Sequence, residues 1–255
     1  MRLNALRLLL LIVIVASWEL VSGRVISEFF ISRPSVIVGI LREWTVNGSI
    51  LFHAGITAGE AFSGFLLGGL AGMTVGIVLG RARLLADVVD PFIMAFYSLP
   101  KIALAPLFIL WFGIGMDMKI VLTGTVVFFL VFLNTYTGVR NVSRELVAIL
   151  SLMGAREWHL LAKVVIPSAV TWVFAGLRIS VPYALIGAIV GELIASNRGL
   201  GFLLADAAGQ FDTGGVFAAL IAIMLLAFLL NTAVKYTERK AMPWKSADET
   251  REVTI

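Results

Sequence analysis

Apolar runs long enough to cross a bilayer alternate with short polar, basic or glycine-bearing stretches along almost the whole chain. A spanning helix needs about 20 mostly apolar residues. Residues 8–21 form a first such run, broken late by Glu19, behind a short basic start with Arg2 and Arg7. A cleaved leader would carry a similar basic flank, but no convincing small-x-small cleavage site follows, so a retained span is expected. Residues 24–49 are mixed. There Val36, Ile37, Ile40, Leu41 and Trp44 recur at helical spacing and predict an amphipathic helix at the membrane surface. Residues 51–80, 84–112, 119–139, 168–195 and 216–236 predict five further spans.

Two of these spans carry special residues. Residues 51–80 hold eight glycines, among them Gly64, Gly68, Gly72, Gly76 and Gly80 at intervals of four. That spacing leaves one helix face smooth and lets another helix approach closely. The run 84–112 contains Pro91, Pro100 and Pro106. Each proline removes a backbone donor, so this span is expected to be broken, and broken helices at membrane depth commonly line a cavity. Ser196 to Gly215 reads as a polar, glycine-containing loop, and residues 246–255 as a charged cytoplasmic tail.

The polar stretch between the fourth and fifth spans, residues 140–167, has its own internal order. Ser143 is placed to cap a short helix, with Glu145 in its first turn at the positive end of the helix dipole. Leu146, Leu150 and Met153 share a face. Gly154 suits the left-handed residue that ends a helix. Ala155, Arg156 and Glu157 lead into a second short helix with an apolar face of Trp158, Leu161, Ala162 and Val165, and Pro167 as its limit. Such a helix pair fits a docking surface for a soluble partner, or an ordinary loop resting on headgroups.

The Gly154-Ala155 pair followed, after eleven intervening residues, by Pro167 resembles the cytoplasmic loop of permease subunits of bacterial ABC importers. The likeness is to the branch that moves nitrate, sulfonates and taurine. It extends over roughly residues 35–244, through P-L-F-I-L-W-F-G-I-G (106–115), L-N-T-Y-T-G-V (133–139), G-L-R (176–178) and E-L-I-A-S-N-R-G-L-G (192–201). The family pattern Glu-Ala-Ala, beginning six residues before the glycine, is replaced by Ala148, Ile149 and Leu150, and Glu145 stands three residues too early to substitute for its carboxylate. The resemblance implies an all-α membrane protein of about six transmembrane helices, residues 1–245 forming one permease domain with a cytoplasmic coupling-helix loop. It implies transport of a small anion such as nitrate, sulfonate or taurine by alternating access. It also implies two ATP-binding subunits, which would hold the ATP and Mg, a second permease subunit (a homodimer), and a periplasmic or lipid-anchored substrate-binding protein. No cofactor is expected on this chain itself. The coupling residues implied are Glu145, Leu146, Leu150, Met153, Gly154, Ala155, Arg156, Glu157 and Trp158.

Composition agrees with a membrane protein: 60% of the residues are apolar and only 14% charged, where a soluble domain has about 25% charged. Mean hydropathy is +0.99. There is no cysteine, which excludes disulfides and thiolate metal sites. The net charge of +4 is too small and dispersed for nucleic acid. It does carry topology. With six spans, Arg2, Arg7, Arg81, Arg83, Arg140, Arg144, Arg156, Lys163, Lys235, Arg239, Lys240, Lys245 and Arg251 fall on one side, and only Arg24, Arg33, Arg42, Lys119 and Arg198 on the other. Positive residues stay inside, so both termini and the 140–167 loop are expected to be cytoplasmic, in a bacterial inner membrane.

Four ionisable residues fall within spans: Glu60, Lys101, Arg178 and Glu192. Each would cost roughly 2.5–3.5 kcal/mol facing lipid at mid-depth, so each should face the bundle or a water path. With Pro100 and Asn134 they are the candidate lining of a translocation route, or else paired charges that hold helices together, for example Glu60 with Lys101. Asn134, Thr135 and Tyr136 are expected to make interhelical hydrogen bonds. No phosphate loop, H-E-x-x-H or G-x-S-x-G occurs, so ATP hydrolysis is expected on another chain. Two rival classes remain: an ion-driven secondary transporter working without an ATPase, and an intramembrane enzyme. No inverted repeat supports the first, and no acid–base or nucleophile constellation the second.

Overall fold

A computed structural model describes residues 2–241, so the tail expected at 246–255 lies outside the described residues. Helices dominate the described chain: α1 (Arg2–Val21), α2 (Pro34–Val46), α3 (Ser49–Arg81), α4 (Arg83–Ser98), α5 (Ala105–Phe112), α6 (Met116–Arg140), α7 (Arg144–Leu152), α8 (Glu157–Leu160), α9 (Ile166–Ala195), α10 (Leu200–Gly209) and α11 (Thr213–Ala241). Five are long and apolar enough to cross a membrane: α1, α3, α6, α9 with its α8 extension, and α11. A sixth span is broken. Leu84–Ser98 and Lys101–Phe112 pass the same test as a pair but meet at 84°. Pro100 separates them, a 3₁₀ turn at Lys101–Leu104 follows, and Pro106 starts α5, where its missing donor costs nothing.

The described residues fall into two compact units. The first runs from the N-terminus to Gly59 and takes in Ile189–Leu226. Within it the amphipathic helix expected at the surface is α2, with Ile37 buried at its contact face. Ser35 at its start donates backbone and hydroxyl hydrogen bonds, 3.0 and 2.7 Å long, to the Glu19 carboxylate of α1. That explains the lone carboxylate late in the first apolar run. Trp18 packs edge-on against Phe217 of α11 at 5.3 Å. The loop expected at 196–215 is a correction. It contains α10, ten residues long, whose apolar sequence was too short to stand out beside the spans.

The second unit comprises Glu60–Ala188 with the chain from Ala227 on. Its central contact is the glycine face of α3 against α6. A Cβ on Gly72 would lie 2.6 Å from the Phe128 carbonyl oxygen, on Gly76 2.8 Å from the Thr135 Cβ, and on Gly80 2.7 Å from the Val139 Cβ. Only glycine allows backbones this close. Val127 and Val131 of α6 and Ala184 of α9 are buried beside this seam, with Phe65, Met73 and Leu177 against them.

Two further expectations change here. Lys119, counted with the outer charges at the start of the fourth span, is instead buried in the first turn of α6 and only 4% exposed. Pro167 does not end the second loop helix: α8 passes through a π turn at Leu161–Val165 straight into α9, where Pro167 occupies the first turn.

Candidate functional site

In the loop between α6 and α9, within the second unit, the first short helix and its end at Gly154 form as the sequence predicts. The Ser143 hydroxyl accepts from the Leu146 N–H at 3.3 Å and caps α7, and Glu145 occupies the first turn. Gly154 has φ +85°. The Ala155 N–H reaches back to the Leu150 carbonyl at 3.0 Å and the Gly154 N–H to Ser151 at 3.0 Å, which satisfies the last carbonyls of α7. Arg156 precedes α8, and its backbone N–H donates to His159 Nδ1 at 3.3 Å.

This geometry divides the loop into a rooted side and an open side. Leu160, Val164 and Val165 are buried, and Val165 packs with Val139 and Ala169 in an apolar cluster. Glu157 forms an ion pair with Arg81 at the end of α3. A polar cavity of about 270 Å³ lies behind the loop, between Arg81, Arg140, Val147 and Glu157. On the open side, Leu146 is 52%, Ile149 54%, Leu152 89%, Met153 77% and Trp158 68% exposed. Leu150 is half-buried. Trp158, expected on the apolar face of the second helix, therefore points away from the residues that root it. Ile149 and Leu152, absent from the expected set, extend the same open face.

Among the candidate pathway residues, those of the second unit have separate partners. In the second unit, Glu60 is 1% exposed and pairs at 2.5 Å with Lys119, also buried, instead of with Lys101. This corrects the expected Glu60–Lys101 pair. Arg178 pairs with Glu238 of α11. Asn134 donates at 2.8 Å to the Leu130 carbonyl of its own helix, with its Cβ against Gly176. Its hydrogen bond is thus intrahelical, contrary to expectation, and Tyr136 likewise meets Arg140 of the same helix at 2.5 Å. Pro100 and Lys101 sit at the break between α4 and α5, with the Lys101 ammonium 4.4 Å from the Tyr97 ring centre and 4.9 Å from that of Phe129.

In the first unit, Glu192 holds the entry to α10. It accepts from the Thr57 hydroxyl at 2.7 Å and from the Gly201 N–H at 2.6 Å. A carboxylate at a helix N-terminus is favoured by the dipole. The Leu200 N–H donates to Thr57 at 2.8 Å and the Gly199 N–H to His53 Nδ1 at 2.9 Å. Sequence reasoning missed His53 and Thr57 here. The available signal was the pair Gly199 and Gly201 spaced to let a backbone approach Glu192.

Residues 64–242 match the profile of the binding-protein-dependent transport system inner membrane component family. A Bacillus subtilis protein named as an aliphatic sulfonates transport permease is 34% identical over 95% of this chain and 88% of its own. A Halalkalibacterium halodurans protein named as a formylaminopyrimidine transport permease is 33% identical over 93% of this chain and 94% of its own. The MetNI methionine ABC transporter, solved in inward-facing conformations, shares the fold with a TM-score of 0.67 at 18% identity, over 77% of this chain and 97% of that one. Long apolar spans, one of them broken, a partly exposed two-helix loop and a match of this breadth lead to one assignment: the chain belongs to the binding-protein-dependent inner membrane component family and is a multi-pass permease subunit of an ABC importer.

Proposed function

We propose that this permease forms a translocation pathway with a second copy of itself, and that residues 144–158 dock onto a separate ATP-binding subunit. The observation that carries the reading is the row Leu146, Ile149, Leu152, Met153 and Trp158, exposed together on a loop whose backbone is fixed by a cap and a left-handed glycine. A soluble groove that covers it gains about 1.5–3 kcal/mol for each Leu or Met fully buried. Glu145, Arg156 and Glu157 flank the row as a polar rim, and Leu150, Gly154 and Ala155 set its curvature. ATP and Mg belong to the partner subunits, whose closure draws two such loops together and shifts the spans between inward-open and outward-open populations.

Residues 1–245 act as one permease domain in this reading, since α3, α9 and α11 each contribute to both compact units. Both termini and the loop face the cytoplasm, supported by the excess of Lys and Arg on that side. A periplasmic or lipid-anchored binding protein delivers the substrate. We assign the substrate to the small organic anions, sulfonates first, supported by the name of the Bacillus subtilis relative.

The test is reconstitution of the permease with its ATP-binding subunit and binding protein. Gly154→Val places a Cβ where φ is +85°, at a cost of about 1–2 kcal/mol. Met153→Asp puts a charge on the docking face, where Met153 is 77% exposed. Both variants are expected to reach the membrane at normal levels while uptake and substrate-stimulated ATP hydrolysis collapse. Normal coupling in both would reduce the loop to a connector.

A further inference from the structure

Lys101 differs from the other cations embedded in the apolar spans. Lys119 is held by Glu60 and Arg178 by Glu238. Among the described residues Lys101 has no carboxylate within ion-pair distance, and its ammonium is fixed by other means. It donates one hydrogen bond to the Tyr97 carbonyl. The Tyr97 ring stands 4.4 Å away and the Phe129 ring 4.9 Å away, themselves 6.2 Å apart. Two π faces and one carbonyl hold the position of a cation without cancelling its charge.

The place is equally specific. Lys101 opens the 3₁₀ turn between two half-spans that meet at 84°. Around it Phe96, Tyr97 and Ile102 are 61%, 40% and 46% exposed. An ammonium has three donors, and one is committed to Tyr97. The others remain for an acceptor approaching over the aromatic surface.

We infer that Lys101, caged by Tyr97 and Phe129 at the break in the third span, contacts the anionic head of the transported molecule and sets the preference of the pathway for anions. The alkyl body of an alkanesulfonate fits beside the same rings. This inference rests on the importer reading and deepens its substrate class. It makes Lys101 a specificity-determining residue, while Glu60, Arg178 and Glu192 hold structure.

Two measurements test it. In the reconstituted importer, with ethanesulfonate as the probe, Lys101→Gln should raise KM about tenfold, the fold-change for losing one hydrogen bond between charged groups. Lys101→Arg should stay near the wild type, and the amount of co-purified ATP-binding subunit should not change in either. The second measurement does not depend on the substrate and uses the natural absence of cysteine. Lys101→Cys should react with the water-soluble reagent methanethiosulfonate ethylsulfonate in native membranes, and Leu10→Cys, 60% exposed on the apolar part of α1, should not. An unchanged KM in Lys101→Gln overturns the inference. So does a Lys101→Cys variant no more reactive than Leu10→Cys. If the wild type moves no sulfonate, the substrate assignment above fails, and the labelling result alone decides whether Lys101 faces the aqueous route.

Discussion

Breaking the Glu60–Lys119 pair is the sharpest test of how the bundle is held. Both side chains are nearly inaccessible, 2% and 6% exposed, and their charged atoms stand 2.5 Å apart. Lys119→Met removes the cation and leaves the Glu60 carboxylate enclosed by α3 and α6. Breaking a buried pair from one side costs about 3–5 kcal/mol, because the remaining charge keeps its desolvation penalty and loses its compensation. A protein of this size loses about 2–4 °C of melting temperature per kcal/mol. The expected loss is therefore roughly 6–20 °C for Lys119→Met in mild detergent, followed by fluorescence-detected size exclusion after heating. Replacing both partners, Glu60→Gln with Lys119→Met, removes the stranded charge, so the double variant should melt well above the Lys119→Met single. Lys101→Met should not share this coupling with Glu60. A Lys119→Met variant within about 2 °C of the wild type, or a double variant that loses the sum of the two singles, would refute the assignment of this pair as a structural clamp.

Gly72→Leu should destabilise by at least about 1–3 kcal/mol through overpacking, since its Cβ would already lie 2.6 Å from the Phe128 carbonyl oxygen. The control Gly39→Ala in α2, with nothing within 4 Å of the added methyl, should leave the melting temperature unchanged or slightly raised. Topology reporters fused after Gly113 and Asn197 should read as outside, and those after Arg83 and Arg156 as inside. One reversed reporter breaks the six-span arrangement.

The spans, the broken third helix and the bend at Gly154 were legible because each depends on local chemistry: apolar length, proline, or a residue tolerant of positive φ. The partners of buried charges were not. Glu60 meets Lys119 because the glycine face of α3 selects α6 as its neighbour and sets the register. Sequence distance contains no such information, and Lys119, at the polar start of a span, read naturally as one of the outer surface charges. Pro167 misled for a related reason. A proline that ends one helix and a proline in the first turn of the next give the same local pattern. The π turn at Leu161–Val165 that joins the two is visible only in the backbone. Of the loop residues, Leu146 and Met153 were legible as one apolar face with Leu150, but Trp158, grouped with Leu161, Ala162 and Val165, is on the open side and not at the root.

The length of α3 has a consequence for where the ATP-binding subunit would sit. Its 33 residues extend about 50 Å at 1.5 Å per residue, against a hydrocarbon layer of about 30 Å. Even at a tilt of about 40°, the upper end of the usual range, some 38 Å of that length would lie along the bilayer normal. Part of the helix must therefore stand clear of the acyl chains. Arg81 in its last turn places that end at the headgroup level at least. The Arg81–Glu157 pair is thus lifted to the headgroup level or beyond, and carries the α7–α8 loop with it. The soluble partner can engage the loop on a pedestal, in water, without pressing its own surface against lipid.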